Sequence, residues 1–300
     1  MIVCNIKGGI GNQLFQYSCA RAISKSLGTD MKIDIVDATK HNSLSSVPRR
    51  VSICDLNINA EVATDSEAAR LRYRHGALSY LYQRIKEKFF PSDILNFDSL
   101  VADSVETNRY LDGYFQSYKY FSDIRPLLLN ELTLRSPSQA FFNWEDMIAK
   151  LPNPVSIHIR RGDYVSNENT RREFGPCPIN YFERAIIEIE EEIKGCSYVV
   201  FSDDIEWVQK NLTILSEKNV LFVHDKNLTD IEELLLMSTC SHNIISNSSF
   251  SWWAAWLNQN EQKRVITPTP WLDSGIIDES GLIPPEWLQI NKYVSQGITP

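Results

Sequence analysis

The chain has 300 residues, a formal net charge of −8, 43% hydrophobic residues and 23% charged residues. This length accommodates one large α/β unit or two domains of ordinary size, and the composition permits a large core and excludes a disordered chain. The acidic balance excludes broad nucleic-acid binding, which requires a positive field, so a polyanionic ligand must be bound by a local cluster of charges.

Six cysteines are scattered along the chain without a C-x-x-C pair, which is typical of reduced thiols in a cytosolic enzyme. The opening stretch "MIVCNIKGG" has too short an apolar run for a signal peptide or a membrane span, so we interpret it as a strand. We therefore expect a cytoplasmic protein. Residues 65–90 are basic and tyrosine-rich; a solvated helix is the favoured interpretation, and peripheral docking on the inner face of the membrane is the alternative.

The N-terminal half begins with the pattern strand, glycine turn and helix, in the stretches "MIVCNI", "KGGIGN" and "QLFQYSCARAISKSLG". Apolar residues recur at helical spacing in the third stretch, and Gly28 is suited to end that helix. The stretch "MKIDIV" at 31–36 follows as a second strand, which predicts a βαβ unit.

The glycine turn also allows a different function. Gly9 and Gly11 match the start of G-x-G-x-x-G, and Asp37 follows the second strand where a ribose-binding acid would stand. The third glycine position is occupied by Leu14, and a tight turn between strand and helix explains the same glycines. A nicotinamide-dependent oxidoreductase is therefore the alternative function that this loop leaves open.

Two prolines in "LPNPV" (151–155) precede an apolar strand, and we interpret this stretch as an interdomain link. The predicted domains cover 1–150 and 151–275, and we expect a tail over 276–300 to pack back on the N-terminal domain. Strands and helices alternate after the link, which predicts a parallel sheet. Its strands are expected at "PVSIHI", "SYVVFS", "VLFV", "HNIIS" and, as the last strand, "RVITP".

Three of these strands end in polar residues, at the place where open α/β sheets bind ligands. The first ends in "HIRRGD", so that His158 and Arg160 leave the strand on one side, and Arg160 and Arg161 offer forks of donors suited to phosphate. The second ends in "SDD", where Ser202 or Asp203 can cap the next helix and a second carboxylate can read a nucleobase. The third is followed by "SNSSF", whose hydroxyls and helix N-terminus suit an anion. Together they predict a nucleoside-diphosphate site.

Several rival sites are absent from the sequence. No G-K-[ST] follows the glycines, so a P-loop is excluded. The G-x-S-x-G motif of a serine hydrolase is also absent. No D-x-D is present to hold Mg²⁺, and the five histidines lack ligand-like spacing. We therefore expect a diphosphate bound without any metal or other cofactor.

Five stretches, in order along the chain, carry a resemblance that runs from residue 3 to about 270: "GGIGNQLFQY", "YLDGYFQSYKYF", "HIRRGDYV", "FSDDIEWV" and "SNSSFSWWAAWLN". They resemble the α1,2-fucosyltransferases of glycosyltransferase family 11, in the bacterial form without a membrane anchor. The resemblance implies a GT-B-like α/β fold of two Rossmann-like domains with a cleft between them. It also implies inverting transfer of L-fucose from GDP-β-L-fucose, held by the C-terminal domain, to the 2-hydroxyl of a terminal β-galactose. The acceptor would be an oligosaccharide or a lipid-linked glycan, as in lipopolysaccharide or O-antigen synthesis, and a catalytically inactive glycan-binding relative is the alternative.

The strand ends and the resemblance together predict the donor contacts. Arg160 is assigned to the β-phosphate and the leaving oxygen, and Arg161 to a secondary or structural role. His158 is expected to orient phosphate or ribose, and Asp203 to read the guanine edge. The remaining diphosphate contacts are assigned to Ser248, Ser249 and the backbone at Phe250.

The acceptor contacts are predicted with the same resemblance, and the general base from its position after the arginines or from a spacing that resembles distantly related α1,6-fucosyltransferases. Asn12 is expected to touch the transferring region, and Gln13, Tyr114 and Gln116 are candidates for binding the acceptor. An inverting transfer benefits from a carboxylate beside the attacking hydroxyl. Asp163, directly after the arginines, is the favoured base, and Glu168 is the alternative.

Overall fold

The computed structural model describes residues 1–39, 51–72, 108–273 and 279–293. The chain divides into two compact units. The first contains Met1–Arg135 and Ile277–Pro284, and the second contains Ser136–Ile276 and Pro285–Pro300. Each unit has its own parallel β-sheet, so the prediction of an α/β protein with two sheet-containing domains is confirmed.

The sheet of the first unit has four strands in the described residues, in the order β3-β2-β1-β4 and all parallel. They are β1 (Ile2–Asn5), β2 (Met31–Asp34), β3 (Glu61–Val62) and β4 (Arg109–Leu111). The helices described in this unit include α1 (Ile10–Ser26), α2 (Asp65–Arg72) and α3 (Arg125–Glu131). The central strand β1 is buried along its whole length, as expected for a strand with partners on both sides.

Helix α1 connects β1 to β2 and confirms the βαβ unit predicted from the sequence. Leu14, Phe15 and Tyr17 lie in the core, fully removed from solvent. The helix ends where Gly28 adopts a left-handed conformation with φ +57°, which a residue with a side chain rarely adopts.

The sheet of the second unit has six parallel strands in the described residues, in the order β10-β9-β8-β5-β6-β7. They are β5 (Pro154–Ile159), β6 (Ser197–Ser202), β7 (Asn219–Val223), β8 (His242–Ile244), β9 (Val265–Thr269) and β10 (Leu288–Asn291). The helices are α4 (Gln139–Ala149), α5 (Gly162–Ser166), α6 (Glu168–Phe174), α7 (Ile179–Glu192), α8 (Ile205–Asn211), α9 (Asp230–Thr239) and α10 (Ser249–Leu257).

The core of the second unit follows the predicted periodicities. Val155, Ile157 and Ile159 alternate along β5 and pack in one cluster with Phe182 and Ile186 of α7. Strand β5 is buried on both faces, because it lies between β8 and β6 and helices cover the sheet. The position of β5 places its C-terminal residues in the middle of the sheet.

One prediction about the sheet is wrong. "RVITP" forms β9 but is not the last strand, because β10 pairs with β9 in parallel. Strand β10 forms the edge of the sheet and is largely exposed. Its sequence "LQIN" alternates apolar and polar residues over only four positions, which is too short a pattern to indicate a strand by itself.

The unit boundary lies before α4, whereas the sequence places the link after it. Two contacts join α4 and its cap to the second unit. The backbone N–H of Ser138 donates to Glu232 of α9 (2.8 Å), and the indole of Trp144 donates to Asp225 (3.1 Å). Of the predicted tail, Ile277–Pro284 belongs to the first unit and Pro285–Pro300 to the second.

Part of the tyrosine-rich stretch lies outside the described residues, which include only α2 of it. Within the described part of the chain, no helix is both long enough and apolar enough to cross a membrane. The predicted membrane docking therefore stays a prediction.

Candidate donor and acceptor sites

The candidate donor site lies at the carboxyl ends of β5, β6 and β8, which we call the β5 edge. Strand β5 pairs with β6 on one side and with β8 on the other, and Ile159 is the register partner of Ser202. Parallel strands bring their carboxyl ends to one edge of the sheet, so the residues that follow them are neighbours in space. The structure thereby brings together the three polar strand ends that the sequence singles out.

Arg160 forms an ion pair with Asp203, across the gap between β5 and β6. Its Nη1 lies 2.9 Å from Asp203 Oδ2, and the Arg160 side chain keeps about a third of its surface exposed (35%). The other carboxylate oxygen of Asp203 accepts from the backbone N–H of Arg161 (2.9 Å). Gly162 leaves room for this carboxylate, because a Cβ at Gly162 would lie 2.7 Å from Asp203 Oδ2. Asp203 thus fixes a guanidinium group that still faces solvent.

Arg161 is held in a different way. Its Nε donates to Asp204 (3.0 Å), and its guanidinium stacks 3.4 Å from the centre of the Trp207 ring. Asp204 is also the N-cap of α8, since its carboxylate accepts from the backbone N–H of Trp207 (3.2 Å). The expectation that Ser202 or Asp203 caps this helix is therefore wrong, because the strand extends through Ser202 and leaves the cap to the second aspartate.

His158 stands in β5, shortly before the segment that carries the arginines, and is buried. Its Nδ1 lies 3.0 Å from the hydroxyl of Ser246, and its ring contacts Phe250 with centroids 5.2 Å apart. Burial, together with the nearby charge of Arg160, lowers the pKa of His158 to about 3. The ring is therefore neutral at pH 7, and it contacts the first turn of α10.

The N-terminus of α10 completes the β5 edge. Ser248 is the N-cap, and its hydroxyl accepts from the backbone N–H of Phe250 (3.4 Å). Ser249 and Phe250 occupy the first turn and are half-buried. The N–H groups of a first helical turn point out of the helix and carry the positive end of its dipole. An anion beside Arg160 would therefore meet positive potential from the helix as well.

The two candidate bases stand on the short helices after the arginines. Glu168 begins α6, is exposed, and pairs with Arg172 one turn later (2.5 Å). Asp163 is the second residue of α5, and its side chain lies outside the described parts of the structure. The choice of base stays a prediction.

A further carboxyl group near the β5 edge has no counterpart in the sequence-based prediction. Glu233 of α9 is half-buried, and burial and the carboxylates of Asp230 and Asp203 raise its pKa to about 7. Glutamates are common on helices such as α9, so the sequence gives no sign that Glu233 is special. Only the packing of α9 against the sheet shows that this carboxyl group lies near the β5 edge.

The candidate acceptor residues lie in the first unit, at the carboxyl ends of β1, β2 and β4, which we call the β1 edge. Asn12 and Gln116 are in direct contact, because Gln116 Nε2 donates to Asn12 Oδ1 (2.7 Å). Gln13 is buried and spans two backbone groups, donating to Gly8 O (3.0 Å) and accepting from the N–H of Ile53 (3.1 Å). This places Gln13 in the support of the glycine loop.

A charged network occupies the same edge. The side chain of Asn5 is fully buried and donates to both Asp37 (2.9 Å) and Asp112 (3.0 Å). Lys7 donates to Asp112 (2.6 Å), and its ammonium lies 5.2 Å from the centre of the Tyr114 ring. Asp37, which the sequence suggested as a ribose ligand, is thus part of a network with Asn5.

The described residues contain no group of three or more His, Cys, Asp and Glu side chains that could hold a metal ion. The chemistry of the two edges is instead that of guanidinium groups, hydroxyls, amides and carboxylates.

The sequence profile of glycosyl transferase family 11 matches residues 1–291. The chain belongs to this family. The motif-based recognition is confirmed, and the family 11 chain is a glycosyltransferase, which leaves the oxidoreductase alternative without support.

Relatives of the family 11 chain extend over nearly its whole length. It is 31% identical to an alpha-1,2-colitosyltransferase of Escherichia coli, over 97% of this chain and 99% of the relative. It is 28% identical to the O-antigen biosynthesis glycosyltransferase WbnK of Escherichia coli, over 95% of this chain and 99% of the relative. It is 25% identical to the galactoside 2-alpha-L-fucosyltransferase Sec1 of Mus musculus, over 86% of this chain and 64% of the relative.

A solved structure supports the fold. The alpha-1,6-fucosyltransferase NodZ, in a crystal soaked with GDP-fucose, superimposes with a TM-score of 0.56 over 85% of this chain and 91% of NodZ, at 14% identity. At such low identity the superposition is evidence for the fold alone. It confirms the GT-B-like class expected for the family 11 chain.

Proposed function

We propose that this protein transfers L-fucose from GDP-β-L-fucose to the 2-hydroxyl of a terminal β-galactose, with inversion and without a metal ion. The observation that carries the proposal is the pairing of Arg160 with Asp203 beside the N-terminus of α10, in a chain of family 11. This arrangement offers fixed donors to a diphosphate. The glycan acceptor is supported by the names of the relatives, which include an O-antigen glycosyltransferase and a galactoside fucosyltransferase.

The chemistry follows from the charge on the leaving group. As the bond between fucose and the diphosphate breaks, the bonding electrons pass to the β-phosphate oxygen, and negative charge grows there. Arg160 is held by Asp203, so its guanidinium would be oriented before that charge develops. The first-turn N–H groups at Ser249 and Phe250 and the hydroxyl of Ser248 would stabilise the diphosphate from another direction.

His158 and Asp203 would act mainly by orientation. The neutral His158 contacts Phe250 and Ser246, so it would fix the first turn of α10 and present one ring nitrogen to phosphate or ribose. The guanine-reading role of Asp203 stays a prediction. Its two oxygens already accept from Arg160 and from the Arg161 N–H, which supports a role in aiming Arg160.

Inversion requires the acceptor hydroxyl to attack the anomeric carbon from the face opposite to the diphosphate. A carboxylate would then accept the hydroxyl proton in the transition state. We assign this role to Asp163, with Glu168 as the alternative. Glu168 is exposed, and its carboxylate already pairs with Arg172 at the surface, so we keep it as the alternative.

The acceptor sugar would bind at the β1 edge. Galactose is neutral and carries hydroxyls, which pair with amides and carboxylates, while its apolar face suits an aromatic ring. Asn12, Gln116 and Tyr114 offer these groups, and Gln13 would support the loop that carries Asn12.

Colitosyl transfer is the second candidate. The colitosyltransferase relative is 31% identical over 97% of this chain. Colitose is L-fucose without one ring hydroxyl, so the two donors present the same diphosphate and differ in one polar contact. A site that hydrogen-bonds that hydroxyl would reject colitose strongly, whereas an apolar pocket would discriminate weakly.

The test begins with GDP binding by calorimetry in excess EDTA, followed by transfer assays with GDP-fucose and GDP-colitose on β-galactosides. We expect metal-independent GDP binding and an α1,2-linked product, with linkage and anomeric configuration determined by NMR. Absence of GDP binding would refute the donor assignment. GDP binding without turnover over a broad panel of acceptors would support an inactive glycan-binding relative, and a preference for GDP-colitose would select the second candidate.

A further inference from the structure

Lys292, directly after β10, is a charged residue in the core. Its side chain is fully buried, and its ammonium donates to three acceptors: Asp273 Oδ1 (2.8 Å), Phe174 O (2.9 Å) and Gly175 O (3.0 Å). The three acceptors match the three N–H groups of an ammonium. Neither the apolar periodicity nor the motifs of the sequence single out this lysine.

The two carbonyls bound by Lys292 are shared with Asn247. The amide of Asn247 donates to Phe174 O (2.6 Å) and Gly175 O (3.0 Å), and also to Trp271 O (3.0 Å). Lys292 and Asn247 therefore hold the same turn, at the end of α6. We call Lys292, Asp273, Asn247 and the carbonyls of Phe174 and Gly175 the Lys292 clamp.

The clamp is tightly packed around Gly175. This glycine has φ +58°, and a Cβ on it would overlap the carboxylate of Asp273 and lie 2.5 Å from the hydroxyl of Tyr293. Tyr293 in turn donates to Asp273. The left-handed backbone at Gly175 and the space that it leaves let the carbonyls point at Lys292.

The clamp also contacts two segments of the β5 edge, the one that follows β5 and the one that follows β8. Tyr164 of α5 donates to Asn247 O (3.0 Å) and stacks on Phe174, with ring centroids 5.2 Å apart. Asn247 stands between Ser246, which contacts His158, and Ser248, which caps α10. A shift of the turn at Phe174 would therefore be transmitted to the N-terminus of α10.

We propose that Lys292 is a positioning residue for the donor site: through the carbonyls of Phe174 and Gly175 it holds Asn247, and with it the Ser248 cap and the first turn of α10. A buried ion pair contributes little net stability because both charges lose their hydration, but it can specify one arrangement among several. The inference rests on the proposed function, since it takes the first turn of α10 as the place where the diphosphate binds.

The test compares Lys292→Met with Lys263→Met. Lys263 is a matched control, because its ammonium also donates to two backbone carbonyls, Ala255 O and Asn258 O, at the opposite end of α10. We expect Lys292→Met to weaken GDP binding and to raise the KM for the donor by about tenfold, with a smaller change in kcat. Lys263→Met should stay within about twofold of the wild type. Equal effects of the two variants on GDP binding would overturn the proposal.

Hydrogen exchange gives a second readout that does not depend on GDP. We expect Lys292→Met to accelerate exchange at the first turn of α10 and at Phe174–Gly175, and Lys263→Met to accelerate it only at the C-terminal end of α10. A uniform acceleration in both variants would mean a purely structural role. If the wild type fails to bind GDP, the donor proposal fails, and exchange alone still decides whether the clamp exists.

Tyr293→Phe keeps the proposal testable if Lys292→Met does not fold. This exposed residue loses only the hydroxyl that donates to Asp273. We expect a weakening of GDP binding of about twofold to threefold and faster exchange at Gly175. Unchanged exchange at Gly175 would overturn the clamp.

Discussion

The β5 edge and the β1 edge are both carboxyl ends of parallel sheets, but they carry different charges. At the β5 edge, two arginines, each paired with an aspartate, and the N-terminus of α10 accompany a histidine that remains neutral. At the β1 edge, Asp37 and Asp112 are joined by the buried amide of Asn5, and Lys7 is the cation that pairs with Asp112. One edge is arranged for an anion, and the other presents amides and carboxylates that suit hydroxyl groups.

The difference shows how one architecture provides two kinds of site. In both units the sheet supplies only the location, because parallel strands end together. The ligand class is decided by the few residues after each strand. Arginine pairs with phosphate through a planar fork. Carboxylates and amides pair with neutral hydroxyls, and unpaired carboxylates would repel a diphosphate. Substitutions that affect one edge and spare the other test this division.

The largest effect is expected from Arg160→Ala. Loss of a preorganised donor to the leaving oxygen should lower kcat/KM by about 10³-fold and weaken GDP binding by about tenfold. Steady-state kinetics and calorimetry measure both. Arg172→Ala is the control, since Arg172 forms an exposed pair with Glu168 and should behave as the wild type. Activity retained by Arg160→Ala would refute the assignment of an anion site to the β5 edge.

Asp163→Asn is expected to have the next largest effect. Removal of the base should lower kcat by about 10²-fold and leave GDP binding intact, because the amide cannot accept the proton of the acceptor. Glu168→Gln, which breaks only an exposed ion pair, should remain within about twofold. Single-turnover rates distinguish the two, and the opposite pattern would make Glu168 the base.

Gln116→Ala tests the β1 edge. Its amide donates to Asn12, so the variant should raise the acceptor KM by about tenfold while GDP affinity stays constant. Gln289→Ala, at an exposed position of β10, is the control. A change in GDP affinity with an unchanged acceptor KM would contradict the division between the two edges.

His158→Gln should change the dependence of stability on pH. The folded protein holds the pKa of His158 at about 3, below its value in an unfolded chain, so the unfolded state binds more protons between pH 6.5 and 3. The free energy of unfolding therefore falls as the pH falls through this range. His158→Gln should reduce that slope by about 1 kcal/mol per pH unit, measured by urea denaturation at several pH values. A slope in His158→Gln equal to that of the wild type would contradict the assignment to His158.

Much of the fold could be predicted because its signals are local. The alternation of Val155, Ile157 and Ile159, and the helical spacing of Phe182 and Ile186, depend only on residues a few positions apart. The polar strand ends could be grouped for the same reason, since the βα alternation implies a parallel sheet whose strands end together. Strand β10 is not predicted because its alternation covers only the four residues "LQIN", and an exposed edge strand gives no longer apolar pattern.

The sequence by itself determined the α/β class, the family, and the set of polar residues from which the β5 edge is built. Only the tertiary structure decided which of them act together: that Asp203 holds Arg160, that Asp204 caps α8 and holds Arg161, and that Lys292 shares two carbonyls with Asn247. Helix and strand periodicities arise within a few residues. The pairings of Asp203 and Asp204 with the arginines, and of Lys292 and Asn247 with the shared carbonyls, instead join residues that are more than 40 positions apart. Such contacts depend on how the strands are ordered in the sheet, and neither composition nor spacing encodes that order locally.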